Sequence, residues 1–179
     1  MGHENMELQN ISKAISCYQQ AIDLSENEYR AWYGLGQAYE LLRMPNQALI
    51  HYKKAATLRP ADSRMWCAVG SCFEVLKKHQ MAIRAFERGM ENDNEFIAAI
   101  RLAELYMNEK NYEASLHYNK IIFSNKAQVE EKDYYKACIS MANIYQELGK
   151  QKEAAHFSRK ALESESVERE EAKTILSTI

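Results

Sequence analysis

Within AWYGLGQAY (residues 31–39), Trp32, Leu35, Gly36 and Tyr39 stand at offsets 0, 3, 4 and 7, which puts all four on one stripe of a helix. Thirty-four residues later Trp66, Val69, Gly70 and Phe73 repeat the order of sizes. A second apolar register follows each stripe, first Ala48, Tyr52 and Ala55, then Ala82, Phe86 and Gly89. The repeating unit is therefore a pair of helices.

Thirty-four residues upstream the second-helix register reads Ala14, Tyr18 and Ala21 with no first helix before it, so the chain is expected to open inside a repeat. Downstream, Leu102, Ala103 and Tyr106 form a first helix with Ala99 at the Trp place. Ala114 and Tyr118 give its partner, after a loop read as one residue shorter. Met141, Ala142 and Tyr145, then Ala154 and Ala161, make the last pair. The expected layout is one domain over 1–179. Residues 9–26 form a lone second helix, 27–60, 61–94, 95–125 and 133–165 are repeats, 126–132 is a longer connection, and 167–179 is a capping helix.

Small residues at Gly36, Gly70, Ala103 and Ala142 on first helices, and at Ala48, Ala82, Ala114 and Ala154 on second ones, let paired helices approach closely. Pro45 suits the first turn of a second helix, Pro60 follows the place where it stops, and Asp62 caps the next. No pair buries its apolar face alone, so the pairs must stack. The pattern is the tetratricopeptide (TPR) signature, nearly complete from Trp32 to Pro60, and the expected fold is all-α: a TPR right-handed α-solenoid of antiparallel helix pairs.

Gly34 and Gly36 also open a G-x-G, but Tyr39 stands at the third glycine's place and the polar SENEYR before it is no strand, which excludes a phosphate loop. Composition agrees with helix: 179 residues, 46% apolar and 27% charged, with two prolines and six glycines. Twenty-three basic residues against 25 acidic leave a net charge of −2 and no basic stripe, so no nucleic acid is expected as partner. No apolar run reaches about 18 residues and no charged-then-apolar leader opens the chain, so neither secretion nor a membrane is expected. Cys17, Cys67, Cys72 and Cys138 sit inside amphipathic patterns and read as free thiols. Asn10-Ile11-Ser12 matches a glycosylation acceptor by chance.

The run NEYRAWYGLGQAYELLRMP, followed by LRPADSRM, closely resembles the subunit-eight family of TPR scaffolds of the anaphase-promoting complex (cyclosome). Tyr29, Arg30, Tyr33, Met44, Ser63, Arg64 and Met65, which the repeat does not dictate, share in it, and after Glu91 it fades into ordinary repeat pattern. The resemblance implies a non-catalytic role in a multi-subunit ubiquitin ligase that drives mitotic exit, in the nucleus and cytoplasm. Its implied partners are other ligase subunits and activator peptides, with a homodimer made through a region absent here. The chain would then be a carboxy-terminal fragment, with Met1-Gly2-His3 a leader.

No catalytic, metal or cofactor constellation emerges. His3, His51, His79, His117 and His156 lack ligand partners at useful spacing and read as solvated or edge-packing. Met81, Met90, Met107 and Met141 read as core filler, and Glu163, Glu165, Glu168, Glu170 and Glu171 as a solvated face or a contact for a basic neighbour. The remaining candidate is the concave face of the first helices. Its peptide-groove residues are Arg30, Tyr33, Gln37, Glu40 and Leu41, then Arg64, Cys67, Ser71, Glu74 and Val75, then Ile97, Ile100, Glu104 and Asn108, then Lys136, Ile139, Asn143, Gln146 and Glu147. A chaperone-binding adaptor would need Lys-x-x-x-Asn and Lys-x-x-x-Arg on successive first helices, but Lys136 is followed by Ser140 and Arg64 by Ala68. Glu40, Glu74 and Glu104 on neighbouring ridges would instead favour an Arg-bearing extended peptide.

Overall fold

The structure is a computed structural model and describes residues 11–91, 96–164 and 167–179. Those residues form ten α-helices and no strand: α1 (Ile11–Leu24), α2 (Tyr29–Leu41), α3 (Pro45–Leu58), α4 (Ser63–Val75), α5 (His79–Met90), α6 (Ile97–Asn108), α7 (Tyr112–Ser124), α8 (Glu131–Glu147), α9 (Gln151–Ala161) and α10 (Val167–Thr178). Their contacts divide into two compact units, residues 1–93 and 94–179. In the first, α2 pairs with α3 and α4 with α5, while α1 packs on α2 and α3 on α4. In the second, α6 pairs with α7 and α8 with α9, α7 packs on α8, and α10 lies against both α8 and α9.

The helix ends follow from local chemistry. The Asp62 and Asn111 side chains accept the Arg64 and Ala114 amides at 3.2 Å, satisfying orphan donors of α4 and α7, and Pro45 opens α3 at no cost in hydrogen bonds. Each first helix closes on one left-handed residue: Arg43, Lys77 and Lys110 at φ 58° and Gly149 at φ 70°. The amide just after it bonds back five residues, Met44 to Tyr39 and Lys78 to Phe73 at 2.9 Å. Three of these four turns thus place a long side chain where glycine is easiest.

Within the first unit the glycines are fitted to rings. A Cβ on Gly36 would lie 2.4 Å from Tyr52, one on Gly70 2.7 Å from Phe86, and one on Gly34 2.3 Å from Tyr18. The close approach expected between Gly36 and Ala48 is in fact a glycine that leaves room for the aromatic one turn beyond Ala48. Trp32 and Trp66 lie only half-buried, and each indole Nε1 donates to a carbonyl six residues back, Glu26 at 2.8 Å and Pro60 at 2.9 Å, pinning the preceding loop.

The second unit corrects the sequence register. The loop between α6 and α7 has the same three residues as the others, so Ser115, not Ala114, takes the small buried place opposite Ala103, where its Oγ donates to the Ala103 carbonyl at 2.9 Å. Asn119 and Ser158 then occupy the places of Tyr52 and Phe86. With Ala103 and Ala142 in the glycine places, the side chains opposite are short: one more carbon on the first helix is matched by a smaller partner on the second. Tyr118 falls instead at the place of His51 and stacks on Tyr106 (centroids 5.8 Å), as Phe157 does on Tyr145 (5.6 Å) and His51 on Tyr39 (5.1 Å). The ring four residues after Ala114 is therefore not the counterpart of Tyr52 and Phe86.

Smaller departures have plain causes. Helix α8 opens at Glu131, inside the stretch read as a connection. Met81 is exposed on α5 while Met141 is fully buried. Glu168 is buried at the start of α10, not part of a solvated face. His51 packs between Trp32 and Tyr39, while His79, His117 and His156 are exposed. His3, the Asn10 acceptor and Glu165 lie outside the described residues.

Candidate functional site

In the first unit α2 and α4 present matching rows: Arg30, Tyr33, Gln37 and Glu40, then Arg64, Cys67, Ser71 and Glu74. The helical period spaces each set along one stripe. At the amino-terminal end of the two helices Tyr29, Arg30, Tyr33, Arg64 and Met65 line an open cleft of about 330 Å³. Arg64 is held there by a two-pronged contact with Asp62, Nε at 3.0 Å and Nη2 at 2.9 Å, and this contact holds the Asp62 carboxyl below its usual range. Arg59 sits over the Tyr29 ring at 4.7 Å. Tyr29 belongs to this cleft although spacing alone did not single it out. Tyr29 precedes Tyr33 by one helical turn, which was the available signal.

Towards the other end, Tyr52 reaches up from α3 and donates its hydroxyl to Glu40 at 2.6 Å, with its ring 5.3 Å from that of Tyr33. Burial first, then this hydrogen bond to an anion, raises the Tyr52 pKa, and burial followed by the Glu40 charge raises that of Tyr33. Cys67 and Cys72 are buried, and burial pushes the Cys72 thiol up to about 12, so neither is an exposed groove contact. Leu41 and Val75 stand exposed at equivalent places beyond the carboxylates. The face therefore runs from arginines, through tyrosine hydroxyls, to carboxylates and an aliphatic rim. It can hold an extended chain by its side chains.

The three-carboxylate row is not presented as three equivalent acids. Glu40 is occupied by Tyr52, and Glu104, in the second unit, pairs with Arg101 at 3.0 Å. Of the other second-unit candidates, Ile139 is buried in the core and so is no groove contact, Asn143 is half-buried, and the Gln146 amide donates to Thr178 Oγ1 at 2.8 Å, so α10 engages it. Sequence reasoning missed a polar cluster there. Asn119 Nδ2 donates to the Ser115 carbonyl and to Ser140 Oγ, each at 3.0 Å, beneath Glu104, Asp133 and Lys136. Its signal was Asn119 and Ser115 on an otherwise apolar stripe.

Among the described residues no group of three or more His, Cys, Asp or Glu side chains could hold a metal ion, and no helix is long and apolar enough to cross a membrane.

Comparison with known proteins gives one consistent pattern. Family models described as TPR repeat and tetratricopeptide repeat match residues 2–42, 29–62 and 131–167. No curated protein sequence matches. Among solved structures, MamA superposes with a TM-score of 0.79 at 22% identity, covering 97% of this chain and 96% of that one. YrrB, described as a TPR protein with an unusual peptide-binding site, follows with 0.75 at 18% identity, over 97% and 88%. The Cut9–Hcn1 hetero-tetramer of the APC/C matches with 0.65 at 15% identity, over 90% of this chain and 31% of that one. At these identities the likeness is one of fold.

Proposed function

This chain is a tetratricopeptide-repeat protein, and we propose that it works as a non-catalytic scaffold that holds an extended peptide segment of a partner along the first-helix face of α2 and α4. The observation that carries this reading is the row from Arg30 and Arg64 through Tyr33 to Glu40 and Glu74, with the cleft of about 330 Å³ at one end. Positive and negative ends on one track give a bound segment a direction, and Arg30 meets a carboxylate as a planar fork while Arg64 keeps the one it makes with Asp62. A segment that sets a basic residue against Glu40 and Glu74 and an acidic one against Arg30 and Arg64 fits it best.

The assembly we assign is the anaphase-promoting complex, with the protein a scaffold subunit in the nucleus and cytoplasm and ligase subunits and activator peptides as partners. The run from Asn27 to Arg64 supports this through its resemblance to the subunit-eight scaffolds, and the fold likeness to the Cut9-containing complex is compatible with it. A second reading, a TPR adaptor for peptide tails outside that complex, is equally compatible with the fold, and the peptide-binding site named for YrrB favours it. Affinity purification of the full-length protein followed by mass spectrometry separates the two. Co-purification of other ligase subunits supports the first; their absence beside a recovered peptide-bearing partner supports the second.

A further inference from the structure

Below the rim formed by Glu104, Asp133 and Lys136, the second unit holds a narrow crevice of about 50 Å³ between α6, α7 and α8, with Asn119 and Ser140 lining its polar side. Asn119 is only 2% exposed. Its amide is oriented by the backbone: the group facing the Ser115 carbonyl at 3.0 Å must be the NH2, since a second oxygen there would be repelled. That NH2 also reaches Ser115 Oγ at 3.3 Å and Ser140 Oγ at 3.0 Å, so its donors are fully used. Among the described residues none donates to the carbonyl Oδ1, and Ser140, accepting from Asn119, keeps its own proton to give. Oδ1 is not sealed from solvent, so water or a ligand in the crevice supplies its donor.

The crevice therefore offers one acceptor and one donor side by side at its floor. We propose that it is a carboxamide-binding subsite, which takes the side chain of an Asn or Gln residue in a bound peptide. The NH2 of that side chain donates to Asn119 Oδ1 and its carbonyl accepts from Ser140. A carboxylate of the same shape sets an oxygen against the Asn119 oxygen with no proton between them, and is rejected. The volume fits the group, since a single water needs roughly 10–15 Å³ of such space. The subsite rests on the reading of the first-helix face as a peptide track, but it is separate from the cleft of the first unit and is tested without any peptide.

The test uses acetamide as the probe, with acetate as its isosteric control, titrated into isotopically labelled full chain and followed by the side-chain amide resonances of Asn119. The expected result is a saturable shift of those resonances with acetamide, none with acetate, and at least a tenfold weaker midpoint in Ser140→Ala. Retained helical circular dichroism and an unchanged Tm show that Ser140→Ala is folded. Should that variant lose its fold, Ser140→Cys, which keeps the volume and weakens the donor, takes its place. Equal shifts with acetate, an unchanged midpoint in the folded variant, or no saturable shift would overturn the proposal and leave the crevice a water site. Failure here leaves peptide binding at α2 and α4 standing; loss of partner binding by that face leaves the acetamide result unchanged.

Discussion

Replacing Gly36 with Ala tests whether the first unit is built by fitting rings to missing side chains. The new Cβ would lie 2.4 Å from Cδ1 and Cε1 of Tyr52, about 1 Å inside ordinary contact, and Tyr52 is 1% exposed with its hydroxyl tied to Glu40, so the ring has no free direction in which to swing. Overpacking of this kind costs about 1–3 kcal/mol. Ala is the better helix former by about 1 kcal/mol, which works the other way. The net expectation is a loss of up to about 2 kcal/mol, with Tm falling by roughly 2–4 °C for each kcal/mol in a chain of this size. The decisive measurement is a double-mutant cycle by urea denaturation. Tyr52→Leu alone destabilises, by less than the about 3–5 kcal/mol of an aromatic-to-Ala change, because an aliphatic body remains. With the ring edge gone, Gly36→Ala keeps only its helix-propensity gain and becomes stabilising. The coupling between the two sites is then about 1–3 kcal/mol, of the size contacting residues show. If Gly36→Ala has the same effect in both backgrounds, the glycine is not there for the ring and the register is misread.

Two buried serines at corresponding depth should respond oppositely to Ala. Ser115→Ala loses the bond to the Ala103 carbonyl and costs about 1 kcal/mol, whereas Ser158→Ala, at a buried Oγ with no hydrogen-bond partner among the described residues, should gain a similar amount in a thermal melt. At the left-handed helix ends, Lys77→Gly should gain up to about 1 kcal/mol and Gly149→Val should lose about 1–2 kcal/mol, by the same melt. Burial lowers the pKa of His51, so its contribution is fully present above the unfolded value near 6.5 and is lost as pH falls through the lower folded value. His51→Phe, copying Phe157, should therefore raise Tm at pH 5 more than at pH 8, and equal gains at the two would contradict it.

The helix pairs were legible because their signal is redundant. Trp32, Gly36 and Tyr39 are repeated at Trp66, Gly70 and Phe73, and Pro45 and Asp62 mark ends that the backbone then adopts. The register of the third pair was not, because the ring that identifies a second helix had been exchanged for Asn119 once Ala103 took the glycine place. Tyr118, one residue from where the ring was sought, offered a false match. That exchange is a change of partner volume, visible only when both helices are placed. The face of α2 and α4 could be read from spacing, but not what its charges do. That Arg64 turns back onto Asp62, the cap of its own helix, depends on its side-chain rotamer, and that Glu40 receives Tyr52 depends on which side chains meet across helices. The Asn119 cluster looked like an interruption of an apolar stripe because its partner Ser140 lies on another helix.

The scaffold reading turns on whether a partner lies along α2 and α4. Placing a photo-crosslinking benzoylphenylalanine at Arg30, exposed beside the cleft, and separately at Glu87, exposed on α5, and irradiating the full-length protein in cells compares that face with the second-helix face of the same unit. The account predicts a covalent partner adduct from position 30 whose crosslinked peptide is an extended segment bearing a basic residue, and none from position 87. An adduct from position 87 alone, or from neither, would contradict it.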